Sequence, residues 1–310
     1  MKRFSKITTT QLARICGVSQ GTVDRALHGR EGINQRTREK ILAVAREYDY
    51  VPSVHPDASL GGSMLIGVVL YDLYNEFFSK LAMSLVSIAK AMGYSVIFLF
   101  SDKDFEAEKS AVEYFNYIGV DGIVLFSVGS DDEGYFSYLR SLMKPIVTIG
   151  NRMSDITHIG IDDRQAMYDL TRKLLARSGE GEIAYFAPIL RKKLSKNNAQ
   201  LLRLLGFEDA MKDSKRAYRI VTSDEALSRE DGGIICATDH YALRALRCLG
   251  ADTSVAIAGF DNTSVLRHLR RDALTVEYST DEIASECLNY ILGRKYKKDI
   301  PHSVVYNGKE

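Results

Sequence analysis

Two sets of residues in this 310-residue chain have types and spacings that could do chemistry, and both point to binding. The first lies in TTTQLARICGVSQGTVDRAL, residues 8–27. Thr10 can cap a first helix whose Leu12, Ala13 and Ile15 face inward, Gly17 permits a sharp turn, and Ser19 caps a second helix. There Val23, Ala26 and Leu27 fall at core-facing spacing, so Gln20, Gly21, Asp24 and Arg25 point outward. Outward polar side chains on a short second helix suit the edges of bases in a major groove. The second set follows a series of apolar runs: Tyr71 and Asp72, Ser101 and Asp102, Asn151 and Arg152, Asp162, Asp239 and Asp261. Carboxylates with a guanidinium at the mouth of a cleft can hold a polyhydroxylated molecule, while rings such as Tyr71, Phe77 and Phe78 cover its apolar face.

Signatures of catalysis are missing from the sequence. There is no GxSxG, HExxH, P-loop or GxGxxG after the first apolar run. The six histidines, His28, His55, His158, His240, His268 and His302, include no i, i+4 pair, so neither a metal nor a cofactor is expected.

The elements that must position these residues are legible in outline. A third amphipathic helix opens at Asn34 and runs through Ile41, Leu42, Val44, Ala45 and Tyr48, closing a three-helix head. Residues 1–46 carry ten Lys/Arg against three acidic residues, a net +7, while the remainder carries 31 basic and 37 acidic residues, a net −6. A basic head on an acidic body fits a polyanion-binding module attached to a separate domain. Residues 51–63, VPSVHPDASLGGS, have the Pro and Gly punctuation of a linker. Beyond it MLIGVVLY, YSVIFLF, DGIVLF and PIVTIG alternate with amphipathic helices, and EIAYFA, RAYRIVTS, GGIICATD and SVAIAGFD repeat the pattern. Apolar strands separated by helices predict two tandem, doubly wound parallel-sheet α/β lobes. Cys16, Cys236, Cys248 and Cys287 form no CxxC pair and read as reduced thiols; the amino-terminal residues lack an apolar leader core, and no apolar run is long enough to span a bilayer. A cytoplasmic protein is expected.

GVSQGTVDRAL followed by INQRTREKILAVAREYDYVP resembles the DNA-binding headpiece of the lactose-repressor (LacI/GalR) family of bacterial transcription regulators. From residue 64 onward the chain resembles that family's effector domain, of the periplasmic-binding-protein type I fold. The resemblance implies a helix-turn-helix headpiece at 1–50 and a hinge at 51–63. It implies an effector-binding and dimerisation domain at 64–310, with one lobe at about 64–161 plus 279–293 and the other at about 162–276 plus 300–310. Motif matching implies that Gln20 and Arg25 read bases and that Ser19, Thr22 and Asn34 hold phosphates. Thr10, Gly21 and His28 lie on the same surface, and Leu60 in DASLGG stands where relatives push a leucine into the minor groove. ICATDHYALRALRCLG implies that Asp239 contacts a sugar-like effector, and QLLRLLGF that Arg203 does; Asp261 in GFDNTSVL borders the cleft and chiefly orders a loop. With Tyr71, Phe77, Phe78, Asn151 and Arg152 these complete the implied effector site. The sequence also departs from the pattern. Gly150 stands where many relatives have Asp, and the chain has no tryptophan, so the usual pocket aromatic is missing.

The implied function is an operator-binding homodimer, most often a repressor in this family, modulated by a sugar or related polyol on a near-palindromic site. The rival expectation is a sugar-binding sensor or scaffold without operator-specific DNA binding. No heptad pattern follows Gly293, so a coiled-coil tetramer is not expected.

Overall fold

The computed structural model describes residues 9–27, 32–47, 62–128, 132–142, 144–153, 155–191 and 194–306. Three helices come first, α1 (Thr9–Cys16), α2 (Gln20–Leu27) and α3 (Gln35–Glu47). Gly17 takes φ +70°, and the turn it makes lets Val18 N donate to Ala13 O at 3.0 Å, satisfying a helix-end carbonyl. Ser19 Oγ accepts from Thr22 N at 3.2 Å to open α2, and Asn34 Oδ1 accepts from Arg36 N at 2.9 Å to open α3. Leu12, Ala13, Cys16, Val23, Ala26, Ile41 and Ala45 form the core. Two expectations are corrected. Ile15 is 44% exposed and Cys16 takes the inward place, because the stripe 12, 13, 16 continues the buried face by one turn. Thr10 lies inside α1, not at its cap, since the helix already begins at Thr9. His28, and residues 51–61 of the linker with Leu60 among them, lie outside the described residues.

The first lobe holds β1 (Leu65–Leu70), β2 (Ser95–Phe100), β3 (Gly122–Leu125), β4 (Ile146–Thr148) and β5 (Thr157–His158). They pair in the order β2-β1-β3-β4-β5, all parallel, with Ile66 opposite both Val96 and Gly122. Helices α4 (Glu76–Ala91), α5 (Phe105–Ile118) and α6 (Glu133–Ser141) connect them, each opened by a side-chain cap from Asn75, Asp104 or Asp132. Where the linker enters β1, Asp121 accepts from Ser63 N (2.7 Å), Ser63 Oγ (3.0 Å) and Met64 N (2.9 Å).

The second lobe repeats the plan. Its strands β6 (Ile183–Phe186), β7 (Tyr218–Val221), β8 (Gly233–Cys236) and β9 (Ala256–Ala258) run parallel in the order β7-β6-β8-β9. Around them lie α7 (Asp163–Leu175), α8 (Ala199–Ser214), α9 (Asp239–Leu249) and α10 (Ser264–Leu269). Asp162 is spent as the cap of α7, accepting from Arg164 N and Gln165 N. The chain then returns: β10 (Thr275–Tyr278) leads into α11 (Thr280–Ile291), which packs on α4 of the first lobe, and β11 (His302–Val305) comes back to pair antiparallel with β10. Two of the three crossings between lobes are tied together at Gly160, whose N accepts no proton but donates to Lys298 O, while its carbonyl accepts from Ile300 N. One apolar cluster runs through both lobes, from Ile66 and Leu81 to Tyr185 and Phe260. Among the described residues no helix is long and apolar enough to cross a membrane.

Candidate functional site

On the headpiece, Gln20, Gly21 and Arg25 are exposed along α2, while Thr22 is half-buried with its hydroxyl 2.8 Å from Ser19 Oγ. Asn34 is exposed, its carbonyl oxygen committed to the α3 cap. These five therefore share the surface around the second helix and the start of the third.

Between the lobes, at the carboxyl ends of the strands, lies a cavity of about 370 Å³, within the size range of small-molecule sites. Tyr71, Phe77, Phe78 and Asn151 line it from the first lobe, and Arg203 and Asp261 from the second. Arg203 is the centre of the second wall. Its Nε donates to Asp163 Oδ1 at 2.8 Å and its Nη1 to Ala237 O at 2.8 Å, while Nη2 lies 3.7 Å from Asp261 Oδ1 and the guanidinium sits 3.6 Å over the Phe260 ring. Burial pushes the Asp163 and Asp261 carboxyls above their usual range against the pull of Arg203. Those carboxylates outweigh desolvation at Arg203 and hold it protonated. Tyr278 donates to Asp261 Oδ1 at 2.8 Å, and Asp261 and Asn262 take positive φ of 105° and 47° to make the turn.

Two expected site residues stand elsewhere. Asp239 is fully buried and faces away from the cavity, accepting from Thr263 N (2.6 Å) and Thr275 Oγ1 (2.8 Å). It fastens the turn after β9 to β10, and its neighbours Thr238, His240 and Tyr241 line the cavity instead. Burial, then the charge of Asp261, raises the Asp239 carboxyl to about 7. Arg152 borders a separate recess with Met153, Lys298 and Asp299, and its N donates to Asn197 O. His158 separates that recess from the main cavity, and burial followed by the charge of Arg152 lowers its pKa to about 3, keeping it neutral.

Several lining residues escaped the sequence reading. Phe126 directly follows β3, where the rule applied to the other strands would have found it. Asp163 sits beside the cap Asp162, masked by its neighbour, and Tyr278 ends a strand that carries no strong apolar run. The lobes also touch directly. Asn151 Oδ1 accepts from Ala199 N at 3.0 Å, and Glu76 Oε2 accepts from Ser264 N and Oγ, both at 2.8 Å. Among the described residues no group of three or more His, Cys, Asp or Glu could hold a metal ion.

Known proteins resemble this chain over nearly its whole length. The chain is 27% identical over 325 residues to the catabolite control protein A of Priestia megaterium, covering 96% of each. It is 25% identical to the transcriptional regulator RegA of Clostridium saccharobutylicum, covering 93% of this chain and 92% of that one. The lac repressor dimer bound to operator and the anti-inducer ONPF shares the fold with a TM-score of 0.65 at 22% identity, over 97% of this chain and 98% of the repressor. The transcriptional regulator CelR in complex with cellobiose does so with a TM-score of 0.64 at 21% identity, over 97% and 100%. Residues 9–53 match the model of bacterial regulatory proteins of the lacI family, and residues 63–295 match that of periplasmic binding proteins and the sugar-binding domain of the same family. With head and body both matched, the chain belongs to the lacI family of bacterial regulatory proteins, which are DNA-binding regulators of transcription.

Proposed function

We propose that the chain is a homodimeric repressor of transcription whose hold on a near-palindromic operator is set by a small carbohydrate bound between its lobes. The observation that carries this reading is the cavity whose walls belong to both lobes, bridged by Asn151 to Ala199 and Glu76 to Ser264. A ligand there changes the relation of the lobes, and with it the spacing of the paired heads; such coupling is typically about 1–3 kcal/mol. Cellobiose in the CelR complex is one precedent for a sugar ligand on this fold. In this reading Gln20 and Arg25 meet base edges, and Ser19, Thr22 and the Asn34 amide nitrogen meet phosphates. Catalysis plays no part, and the protein acts on chromosomal DNA in the cytoplasm.

A gel shift with the DNA flanking its own gene tests this reading. Arg25→Ala should abolish the specific complex and keep nonspecific binding. A wild-type dimer with no preference over random duplex, yet with a sugar ligand, would favour the sensor reading instead. Thermal shift against sugars and polyols tests the cavity, because a ligand of the native state raises the melting temperature.

A further inference from the structure

The two walls of the cavity are chemically unlike. The guanidinium of Arg203 and the carboxylates of Asp163 and Asp261 lie on the second lobe, beside Gln200, whose buried Oε1 accepts no hydrogen bond; the first lobe adds one carboxylate, Asp72, 16% exposed and 4.0 Å from Lys103. The first lobe presents Phe77, Phe78, Phe126 and Ile149. Polar groups on that wall already have partners: Tyr71 donates to Ser127 O at 2.6 Å, Asn151 Nδ2 reaches Tyr71 Oη and Ser127 O, both at 2.7 Å, Asp72 accepts from Tyr74 N at 2.9 Å, Asn75 accepts from Phe77 N at 3.0 Å, and His158 Nδ1 lies 3.2 Å from Thr148 Oγ1.

Phe126 is built into that wall. Gly150 has φ +67°, and a Cβ there would stand 2.2 Å from Phe126 Cε2 and 2.3 Å from Cζ. The ring thus fills the space into which a side chain at 150 would point. Edge-to-face contacts hold it, 4.7 Å from Tyr71 and 4.8 Å from Phe78 between centroids. The loop behind it is pinned by the buried Glu108, which accepts from Ser127 Oγ at 3.1 Å and Val128 N at 2.5 Å. An anionic ligand gains little in the interior, since Arg203 is held by two carboxylates; Lys103 stands at the rim, 63% exposed.

We propose that Phe126, with Gly150 beneath it, makes the cavity select an uncharged glycoside with an apolar substituent. Sugar hydroxyls meet Gln200, Asp163 and Asp261, and the substituent lies against Phe77, Phe78 and Phe126. This rests on the carbohydrate reading above and narrows it.

Titration calorimetry of the full chain decides it, with free glucose, galactose and xylose, their methyl and phenyl glycosides in both anomers, and glucose 6-phosphate. The expected result is a phenyl glycoside binding at least about tenfold tighter than the methyl glycoside of the same sugar, a ratio within reach of one buried ring among aromatic partners. Phe126→Leu should cut that ratio to below about threefold, as loss of one ring partner requires. If Phe126→Leu fails to fold, Phe77→Leu carries the same expectation. Methyl glycosides or free sugars binding as tightly as phenyl glycosides overturn the inference while leaving the carbohydrate reading intact. So does tighter binding of the phosphate, or a ratio unmoved in the folded variant. If no carbohydrate binds, the reading and the inference fall together.

Discussion

Replacing Arg203 by glutamine removes the cation paired with two buried carboxylates, Asp163 and Asp261. The side chains of Arg203, Asp163 and Asp261 are 9%, 6% and 5% exposed, so water cannot take over the lost contacts. Breaking one partner of a buried ion pair costs about 3–5 kcal/mol, because the remaining charge is left uncompensated. At roughly 2–4 °C per kcal/mol for a body of this size, the melting temperature should fall by about 6–20 °C. The loss should depend on pH in a definite direction. Burial already raises the carboxyls of Asp163 and Asp261 while Arg203 opposes it. Without Arg203 the native state keeps protons that the unfolded chain releases above about pH 4, so stability of the variant declines as pH rises. Scanning calorimetry at pH 5 and pH 7.5 should therefore show the larger deficit at pH 7.5, and adding Asp163→Asn should recover part of it. A variant melting within about 2 °C of the parent at pH 7.5 would refute the reasoning, as would a deficit that deepens on acidification.

Other perturbations separate the remaining parts of the molecule. The Asp239 carboxyl titrates near 7 in the fold but near 4 when unfolded. It thus lowers stability as pH climbs between those values, and Asp239→Asn should flatten that stretch of the urea-unfolding profile. Asp121→Ala strands the amides of Ser63 and Met64, at a cost of about 1–3 kcal/mol, and should speed hydrogen exchange at residues 62–65 while the far end of β1 stays protected. Glu76→Gln weakens a contact made only when the lobes are together, so effector affinity should drop by roughly fivefold with no change in the residues touching ligand, as read by calorimetry.

The sheets were legible because parallel strands buried on both faces write themselves as unbroken apolar runs, as in Leu65–Leu70 and Ile183–Phe186. The headpiece was legible from spacing and from the caps at Ser19 and Asn34, although Ile15 falls just outside the buried stripe that Cys16 completes. Nothing so regular marks β10 or β11, where only four residues each pair. At the cavity, position after a strand found Tyr71, Asn151 and Asp261 but could not tell which way Asp239 turns. That direction is decided by Thr263 and Thr275, 24 and 36 residues away. Nor does a lone glycine in PIVTIG announce that the phenylalanine just after the preceding strand lies over it.

Strand β1 joins two places that never meet. Asp121 fastens one end, where the segment leading to the headpiece arrives; Tyr71, just past the other end, borders the ligand chamber. Six residues of strand put about 20 Å between them. In the proposed coupling, an effector in the chamber would act on residues 63 and 64 from that distance, through a tilt of the first lobe with β1 serving as the lever arm.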